Sequence, residues 1–311
     1  MIDGVTVGLP RALLYHWFAP TWETFLSTLG ARPVTSPPTN KTVLALALKL
    51  AQDEVCLPVK LFLGHAAHLA SACEMIFVPH IISIEQRAFT CPKFMGLPDL
   101  VRQSLPEAKT LVAKIDIRGG AAWRAAAFKV ASSLGQSGAK ADQAWRLAGK
   151  AQRRHEHDWR TGAAFGICGE NKTGPLLAVL GHPYCLYDRF LNMDLLGRLQ
   201  RSGCKIVTPE MIPAAEIERG LASLPKELFW SFGRRQLGTA HHLLDRGDCR
   251  GIIHVTAFAC GPEALVGELI ERAAVNRRVP LLKLHLDEHT GEAGFLTRLE
   301  AFLDMMGRCR R

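Results

Sequence analysis

One pattern opens the chain and returns in its second half. Residues 5–40 read VTVGLPRALLYHWFAPTWETFLSTLGARPVTSPPTN, and residues 177–211 read LAVLGHPYCLYDRFLNMDLLGRLQRSGCKIVTPEM. Each stretch has an apolar run, a Gly-x-Pro turn, an amphipathic segment, a glycine and a second apolar run, which predicts strand, helix and strand. The matched pairs are Gly8 and Gly181, Pro10 and Pro183, Gly30 and Gly203, and Thr35 and Thr208. We predict two copies of one α/β unit, each opening a parallel sheet; chance similarity between two βαβ openings is the alternative.

The repeat and the composition between its copies predict three regions. Residues 1–120 form an N-terminal α/β domain that carries Cys56 and Cys91, and residues 174–311 form a C-terminal α/β domain that carries Cys260. Residues 121–173 are predicted to be a helical connector, because they are rich in Ala, Lys, Arg and Gln and contain no strand signal. Its last part, GICGENKTGP (166–175), has the composition of a linker.

Composition narrows the class of protein. The 311 residues are 48% hydrophobic, with no charged-then-apolar leader and no apolar run long enough to span a bilayer, so a cytoplasmic protein without a membrane segment is expected. The net charge of +9 is scattered, apart from a modest cluster in KAQRRHEHDWR (150–160), and no nucleic-acid module accompanies it. We expect no nucleic-acid partner. The cluster is read as a solvated helix face, with an acidic protein or an anionic ligand as the alternatives.

Three of the nine cysteines share a local context. Cys56, Cys91 and Cys260 each have a proline within the next two positions, and each precedes a predicted helix start or follows a predicted strand. Proline cannot continue the preceding segment as a helix, so the cysteine is held on a rigid turn with nearby backbone donors free to face the sulfur. A helix amino end also favours a thiolate.

Thiolates from three separate loops suit a [4Fe–4S] cluster with one iron that lacks a protein thiolate. Zinc sites more often show paired C-x-x-C spacing or histidines at fixed offsets, which this chain lacks. Independent buried thiols explain the same cysteines without any metal. The spacing leaves both interpretations open, and it leaves Cys185 either a fourth ligand or a buried thiol. The remaining cysteines are interpreted as structural: Cys73, Cys168, Cys204, Cys249 and Cys309.

Six segments together resemble the acyl-CoA dehydratase activase-related family, which is kin to the 2-hydroxyacyl-CoA dehydratase subunits and to the double-cubane cluster proteins. They are DEVCLPVKLFLGH, FTCPKFMGLPDLVR, GHPYCLYDRFLNMDLLGRL, LFWSFGRRQLGTA, FACGPEALVGELIE and DEHTGEAGFLTRLEAFLDM. The resemblance covers almost the whole chain and is weakest across residues 118–174. It implies that Cys56, Cys91 and Cys260 ligate an iron–sulfur cluster. It also implies two flavodoxin- or Rossmann-like domains with that cluster between them.

The resemblance also implies a kind of chemistry. In the related dehydratases an ATP-hydrolysing activase supplies one low-potential electron, which passes through the cluster to a CoA thioester; in the double-cubane relatives the same supply drives reduction of small molecules. This chain has no recognisable nucleotide-binding motif, so the activase is expected to be a separate partner. A homodimer or heterodimer, with two clusters joined as a double cubane, is a further expectation. The alternative is a non-catalytic electron carrier or cluster-bearing scaffold that docks with an activase.

Several polar residues near these cysteines are candidates for proton handling or for binding an anionic substrate. Glu54 and Lys60 flank Cys56, and His289 lies in the polar stretch HLDEHTGEAG after a predicted strand; these three are the catalytic candidates. The alternative for each is an ordinary role as a solvated or capping residue. His65 and Lys93 have the same two interpretations. Glu263 is expected to act as a capping residue in the first turn after Cys260.

Overall fold

The computed structural model describes residues 4–119, 122–163, 174–222 and 224–307. These residues divide into two compact units, one within Met1–His155 together with Phe229–Ser231, and one within Glu156–Leu228 together with Phe232–Arg311. We call them unit 1 and unit 2. The predicted linker at 166–175 lies mostly outside the described residues, and the predicted three-region division stays a prediction.

Unit 1 alternates strands and helices. Its elements are β1 (Thr6–Leu9), α1 (Tyr15–Thr28), β2 (Arg32–Thr35), α2 (Lys41–Leu50), α3 (Leu57–Ala70), β3 (Met75–Ser83), α4 (Pro92–Met95), α5 (Leu97–Ser104), β4 (Thr110–Asp116), α6 (Ala122–Ser133) and α7 (Gly138–Arg160), the last of which continues into unit 2. The helices α6 and α7 lie within the segment that was predicted to be a helical connector. The four strands form one all-parallel sheet in the order β2-β1-β3-β4.

Unit 2 repeats this plan. Its elements are β5 (Leu176–Gly181), α8 (Pro183–Leu186), α9 (Leu195–Arg201), β6 (Lys205–Val207), α10 (Ala214–Leu221), α11 (Ser231–Arg246), β7 (Cys249–Ala257), α12 (Gly261–Asn276), β8 (Leu281–Leu286) and α13 (Glu292–Met305). Its sheet is all-parallel in the order β6-β5-β7-β8. The two sheets therefore share one strand order, which is that of the first four strands of flavodoxin-like sheets. The predicted α/β fold with two Rossmann-like domains is confirmed.

Matched residues play matched parts in the two units. The hydroxyl of Tyr15 donates to Glu23 (3.0 Å), and the hydroxyl of Thr35 at the end of β2 bonds the same carboxylate (3.3 Å). In unit 2 the hydroxyls of Tyr187 and Thr208 lie 2.8 Å apart, just after β6. Gly8 and Gly181 lie within their strands, and not on the following turns as the sequence pattern suggested. A β-carbon would meet Leu69 of α3 and the side chain of Ile76 at Gly8, and the carbonyl oxygen of Val255 at Gly181, which explains the absence of a side chain at both positions.

Helix α3 carries Cys56 at its start, and a close helix crossing positions it. A β-carbon on Gly64 would lie 2.9 Å from the β-carbon of Ala47 on α2 and closer still to the carbonyl oxygen of Val43. We expect Gly64→Ala to lower the free energy of unfolding by about 1–3 kcal/mol, the usual cost of overpacking. Urea denaturation of the purified chain measures it.

A second helical glycine provides the matched control. Gly294 on α13 is exposed, and nothing lies within 4 Å of the place where its β-carbon would be. Gly294→Ala should leave stability unchanged or raise it by up to about 1 kcal/mol, because alanine loses less backbone entropy in a helix. Equal effects of the two substitutions would show that the crossing of α2 and α3 is not tightly packed.

Candidate functional site

The three predicted cysteines occupy equivalent local positions. Cys56, Cys91 and Cys260 each stand immediately before a helix, at the N-cap of α3, α4 and α12 respectively, with extended backbone and proline at the first or second helical position. The exposed main-chain N–H groups of a helix start carry partial positive charge, and they favour a negatively charged ligand at this point. The helix starts predicted at Cys56 and Cys260 are confirmed, and the short helix α4 after Cys91, where the sequence predicted a polar loop beyond a strand, adds a third.

Cys56 and Cys91 lie on neighbouring loops of unit 1. Because α3 leads into the amino end of β3, its own first residues lie toward the carboxyl edge of the sheet, where the segment after β3 also lies. One hydrogen bond joins these loops, since the Nζ of Lys93 donates to the main-chain carbonyl of Glu54 at 3.0 Å. The main chain two residues before Cys56 is thus in contact with the side chain two residues after Cys91.

The Cys91 loop is anchored on both sides. The main-chain N–H of Thr90 donates to the carbonyl of Ile82 at 2.9 Å, and its hydroxyl donates to that of Ile81 at 2.5 Å. Phe89 pairs with Trp230 in a short parallel bridge. Burial raises the pKa of the Cys91 thiol, and main-chain hydrogen bonds from Phe94 and Lys93 act in the opposite direction. The sulfur is therefore a well-placed acceptor for two helix-start N–H groups.

Cys260 lies on the turn between β7 and α12 in unit 2. Its N–H donates to the carbonyl of Ala257 at 3.1 Å, and the preceding residue, Ala259, has a left-handed backbone with φ of 63°. A non-glycine residue in this region is uncommon, and such strain concentrates at functional sites. The turn directs Cys260 toward the carboxyl edge of the second sheet.

Two further residues of unit 2 converge on Cys260. His182 follows β5, Glu263 lies in the first turn of α12, and one ligand-type atom from each of these three side chains lies within 4.8 Å of the others. The Nδ1 of His182 and an oxygen of Glu263 are 2.5 Å apart. Among the described residues no other group of three His, Cys, Asp or Glu side chains meets this distance limit. The strands β5 and β7 are neighbours at the point where the strand order reverses, which is where ligands bind in open parallel sheets.

Glu263 is almost fully buried and its oxygens are well satisfied. Its carboxylate accepts from the Nε2 of Gln236 (3.1 Å) and from the N–H of Ala257 (3.3 Å). Burial alone would raise the pKa of Glu263, but the charge of His182 and the hydrogen bonds from His182 and Gln236 leave it below its ordinary value. Glu263 thus links α11, β7 and α12 in addition to facing its own helix start, a role that the expected helix-capping function did not include.

A cavity of about 380 Å³ opens beside Cys260 within unit 2. Its wall combines small residues of the turn with polar side chains from β7, β8 and α12. The polar lining residues are His254, Thr256, Cys260, Glu263, Lys283 and His285. The hydroxyl of Thr256 lies 2.7 Å from the Nδ1 of His285. The cavity has room for a small ligand group next to the cysteine.

None of the predicted catalytic candidates is a member of the His182 group. Glu54 is exposed, Lys60 is 2% exposed in the second turn of α3, and both belong to unit 1. His289 belongs to unit 2, where it is exposed and its N–H donates to Asp287 at 2.8 Å. Their catalytic roles, and the convergence of the three cysteines, stay predictions.

His65 is a structural residue. Its Nδ1 lies 2.9 Å from the hydroxyl of Ser36 and its Nε2 lies 3.0 Å from that of Thr39, so both ring nitrogens are used. Burial, followed by the positive charges of His16 and other neighbours, lowers the pKa of His65 to about 3. A neutral, fully buried ring that links α3 to the segment after β2 has no free nitrogen for proton transfer. This argues against a role of His65 in proton handling.

Sequence reasoning missed His182 and Gln236. His182 follows a strand as part of a Gly-His-Pro turn, matched by Gly-Leu-Pro in the first half, and the histidine is the chemical difference between the two copies. Its ring stacks on Tyr184 with centroids 4.8 Å apart and meets Phe232 edge-on. The histidine in one copy of the repeat, where the other copy has leucine, was the sequence signal that could have identified His182.

In the described part of the chain, every helix is too short or too polar to cross a membrane. Comparison with curated proteins found no match. Residues 6–212 match the family model described as "CoA enzyme activase uncharacterised domain (DUF2229)", which includes Cys56, Cys91 and His182 and ends before Cys260. Since this match spans more than half of the 311 residues, the chain belongs to the CoA enzyme activase uncharacterised domain family.

Proposed function

We propose that this chain is an iron–sulfur protein of the 2-hydroxyacyl-CoA dehydratase type. It accepts a low-potential electron from an ATP-dependent activase and uses it for reductive or radical chemistry on a CoA thioester or a small molecule. The family match supports a place in a CoA-related activase system. The observation that carries the proposal is that Cys56, Cys91 and Cys260 share one local geometry at three helix starts.

The donor set fits a cluster. Iron–sulfur clusters are held by cysteine thiolates, and hydrogen bonds to sulfur tune their potentials. Cys91 already receives such bonds from the main chain of Phe94 and Lys93. Cys56 is 8% exposed and Cys91 and Cys260 are half-buried, so each of the three thiols has restricted access to solvent. When bound, a [4Fe–4S] cluster supplies one-electron transfer at low potential.

The chain's own residues would hold the substrate in the cavity beside Cys260. Lys283 on its wall is paired with Glu271, and His285 with Thr256, so polar groups are fixed in orientation where a carbonyl or carboxylate would bind. Glu54, Lys60 and His289 are proposed to move protons or hold anionic groups. This polar cavity favours a catalytic subunit over the alternative, an electron carrier or scaffold, because a carrier needs no room beside its cluster.

The partners follow from the same proposal. An activase in trans would spend ATP, since the sequence has no recognisable nucleotide-binding motif. A dimer of two copies of this chain, or of this chain with another subunit, would bring two clusters together as a double cubane.

Anaerobic purification followed by iron and sulfide analysis tests the proposal. We expect about four irons and four sulfides per chain, and a paramagnetic signal after reduction by a dithionite-fed activase with ATP. Fewer than about one iron per chain after anaerobic reconstitution would overturn it. A change in that signal on adding an acyl-CoA would support the catalytic subunit, and an unchanged signal with every acyl-CoA tried would support the carrier.

A further inference from the structure

The second sheet brings together three chemically different ligand side chains, an imidazole, a thiol and a carboxylate. We propose that His182, Cys260 and Glu263 bind one divalent transition-metal ion of the zinc class. The inference requires unit 2 alone and does not rest on the proposed cluster. It shares Cys260 with that proposal, and the experiment below separates the two.

The distances fit a single ion. Ligands that bind one metal at 2.0–2.3 Å lie roughly 3–4 Å from one another, whereas thiolates on different irons of a cube are roughly 6–7 Å apart. The three ligand atoms of this group all lie within 4.8 Å of one another. This compact grouping fits a single ion better than a cube. The Nδ1 of His182 and an oxygen of Glu263 lie at hydrogen-bond distance, 2.5 Å apart, so a small adjustment of side-chain torsions that separates these two atoms would bring the donors around one ion.

The backbone holds the three donors in place. His182 and Cys260 follow the adjacent strands β5 and β7, which pair through Gly181 and Val255. The ring of His182 is fixed by its stacking on Tyr184, and Cys260 by the left-handed Ala259 before it. Ligands on rigid strand ends need little reorganisation to bind a metal.

A second layer of hydrogen bonds orients the carboxylate. The Nε2 of Gln236 donates to Glu263 at 3.1 Å, so the amide oxygen of Gln236 faces the Nε2 of His254, which lies 3.1 Å away and must carry the proton. The N–H of Ala257 donates to the other oxygen of Glu263. Metal-ligating carboxylates are characteristically held by such outer partners.

The donor types select the metal. A thiolate with an imidazole and one carboxylate suits Zn²⁺, Co²⁺ or Fe²⁺, and is unsuited to Mg²⁺ or Ca²⁺, which require oxygen ligands. Three protein ligands leave a fourth position, as in catalytic zinc sites. Cys260 and Glu263 also line the cavity of about 380 Å³, so that position would be open to water or to a small ligand.

Cobalt titration of the full-length chain, first freed of iron and other metals by a chelator, tests the inference. We expect saturation at about one Co²⁺ per chain, with a thiolate-to-cobalt absorption band. The band should disappear when Zn²⁺ displaces the Co²⁺. Cys260→Ser should abolish the band, and His182→Asn should weaken binding by at least about 100-fold. Gln236→Leu, which removes only the orienting amide, should weaken it by about 10-fold.

Matched variants separate this site from the cluster. Cys56→Ser and Cys91→Ser should bind Co²⁺ like the unmodified chain while losing iron and sulfide after reconstitution. Circular dichroism checks that each variant is folded, and His182→Gln replaces His182→Asn if the latter is not. The inference is overturned by the absence of a saturable band, by a band unchanged in folded Cys260→Ser or His182 variants, or by one that requires Cys56 or Cys91.

Discussion

Replacing Cys91 with serine is expected to reduce the bound iron and sulfide from about four of each per chain to less than about one after anaerobic reconstitution. The physical reason is that a neutral hydroxyl is a poor iron ligand where a thiolate is required. The fold should survive, because the loop is held by the bonds of Thr90 to Ile81 and Ile82 and by the pairing of Phe89, none of which involves the thiol. Colorimetric iron and sulfide assays with a thermal melt measure both parts.

Cys73 gives the matched control. It is also a half-buried free cysteine of unit 1, but it lies just before β3, at the opposite end of that strand from Cys91. Cys73→Ser should keep the full content of iron and sulfide. If the folded Cys91→Ser variant kept its iron as well, or if both variants lost it equally, Cys91 would not be a ligand.

Much of the fold was predictable because its signals are local. The apolar run LLKLHL corresponds to β8, and the prolines after Cys56 and Cys260 mark the starts of α3 and α12 within a residue or two. Both signals depend on neighbours in sequence: a continuous apolar run predicts a buried parallel strand, and proline is tolerated in the first helical turn. Tertiary packing did not need to be known.

Strand β3 shows where local signals fail. The sequence predicts a strand over 75–78, but it continues to Ser83 through Pro79 and His80. Proline disfavours an interior strand because it lacks an N–H. Here β3 pairs with β1 only at Met75 and Ile76 and with β4 along the rest, so one side of Pro79 has no strand partner. Such an edge-like position depends on strand lengths elsewhere in the chain.

The candidate site in unit 2 was only partly predictable for a similar reason. Cys260 and His182 are both marked in the sequence, the first by the Gly261 and Pro262 that follow it and the second by the Gly-His-Pro difference within the repeat, whereas Gln236 carries no such mark. Their proximity to Glu263 arises from the parallel pairing of β5 with β7 and from the packing of α11 beside them. Spacing along the chain contains no information about such pairings, so the grouping of the histidine with Cys260 and Glu263 becomes visible only when the sheet is assembled.

The second large effect concerns electron supply. We expect the cluster-loaded chain to show no ATPase activity of its own, and to be reduced by a dithionite-fed activase only when ATP is present. For a one-electron step each 59 mV is a factor of ten, so an unfavourable gap of about 300 mV suppresses reduction by about 10⁵-fold unless hydrolysis in the partner supplies the driving force. Cluster absorbance and paramagnetic resonance follow the reduction, and phosphate release follows hydrolysis.

Two controls define what this reduction requires. A non-hydrolysable ATP analogue should give no reduction, since binding without hydrolysis does not supply the driving force. Cys91→Ser should show no cluster reduction either, because the electron acceptor is missing. The activase is intact in this experiment and should still hydrolyse ATP. Full reduction by a mild donor with neither ATP nor activase would remove the activase-linked proposal and identify an ordinary electron carrier. ATP-dependent reduction that is unchanged in Cys91→Ser would place the acceptor elsewhere, because this variant lacks one of the three proposed cluster ligands.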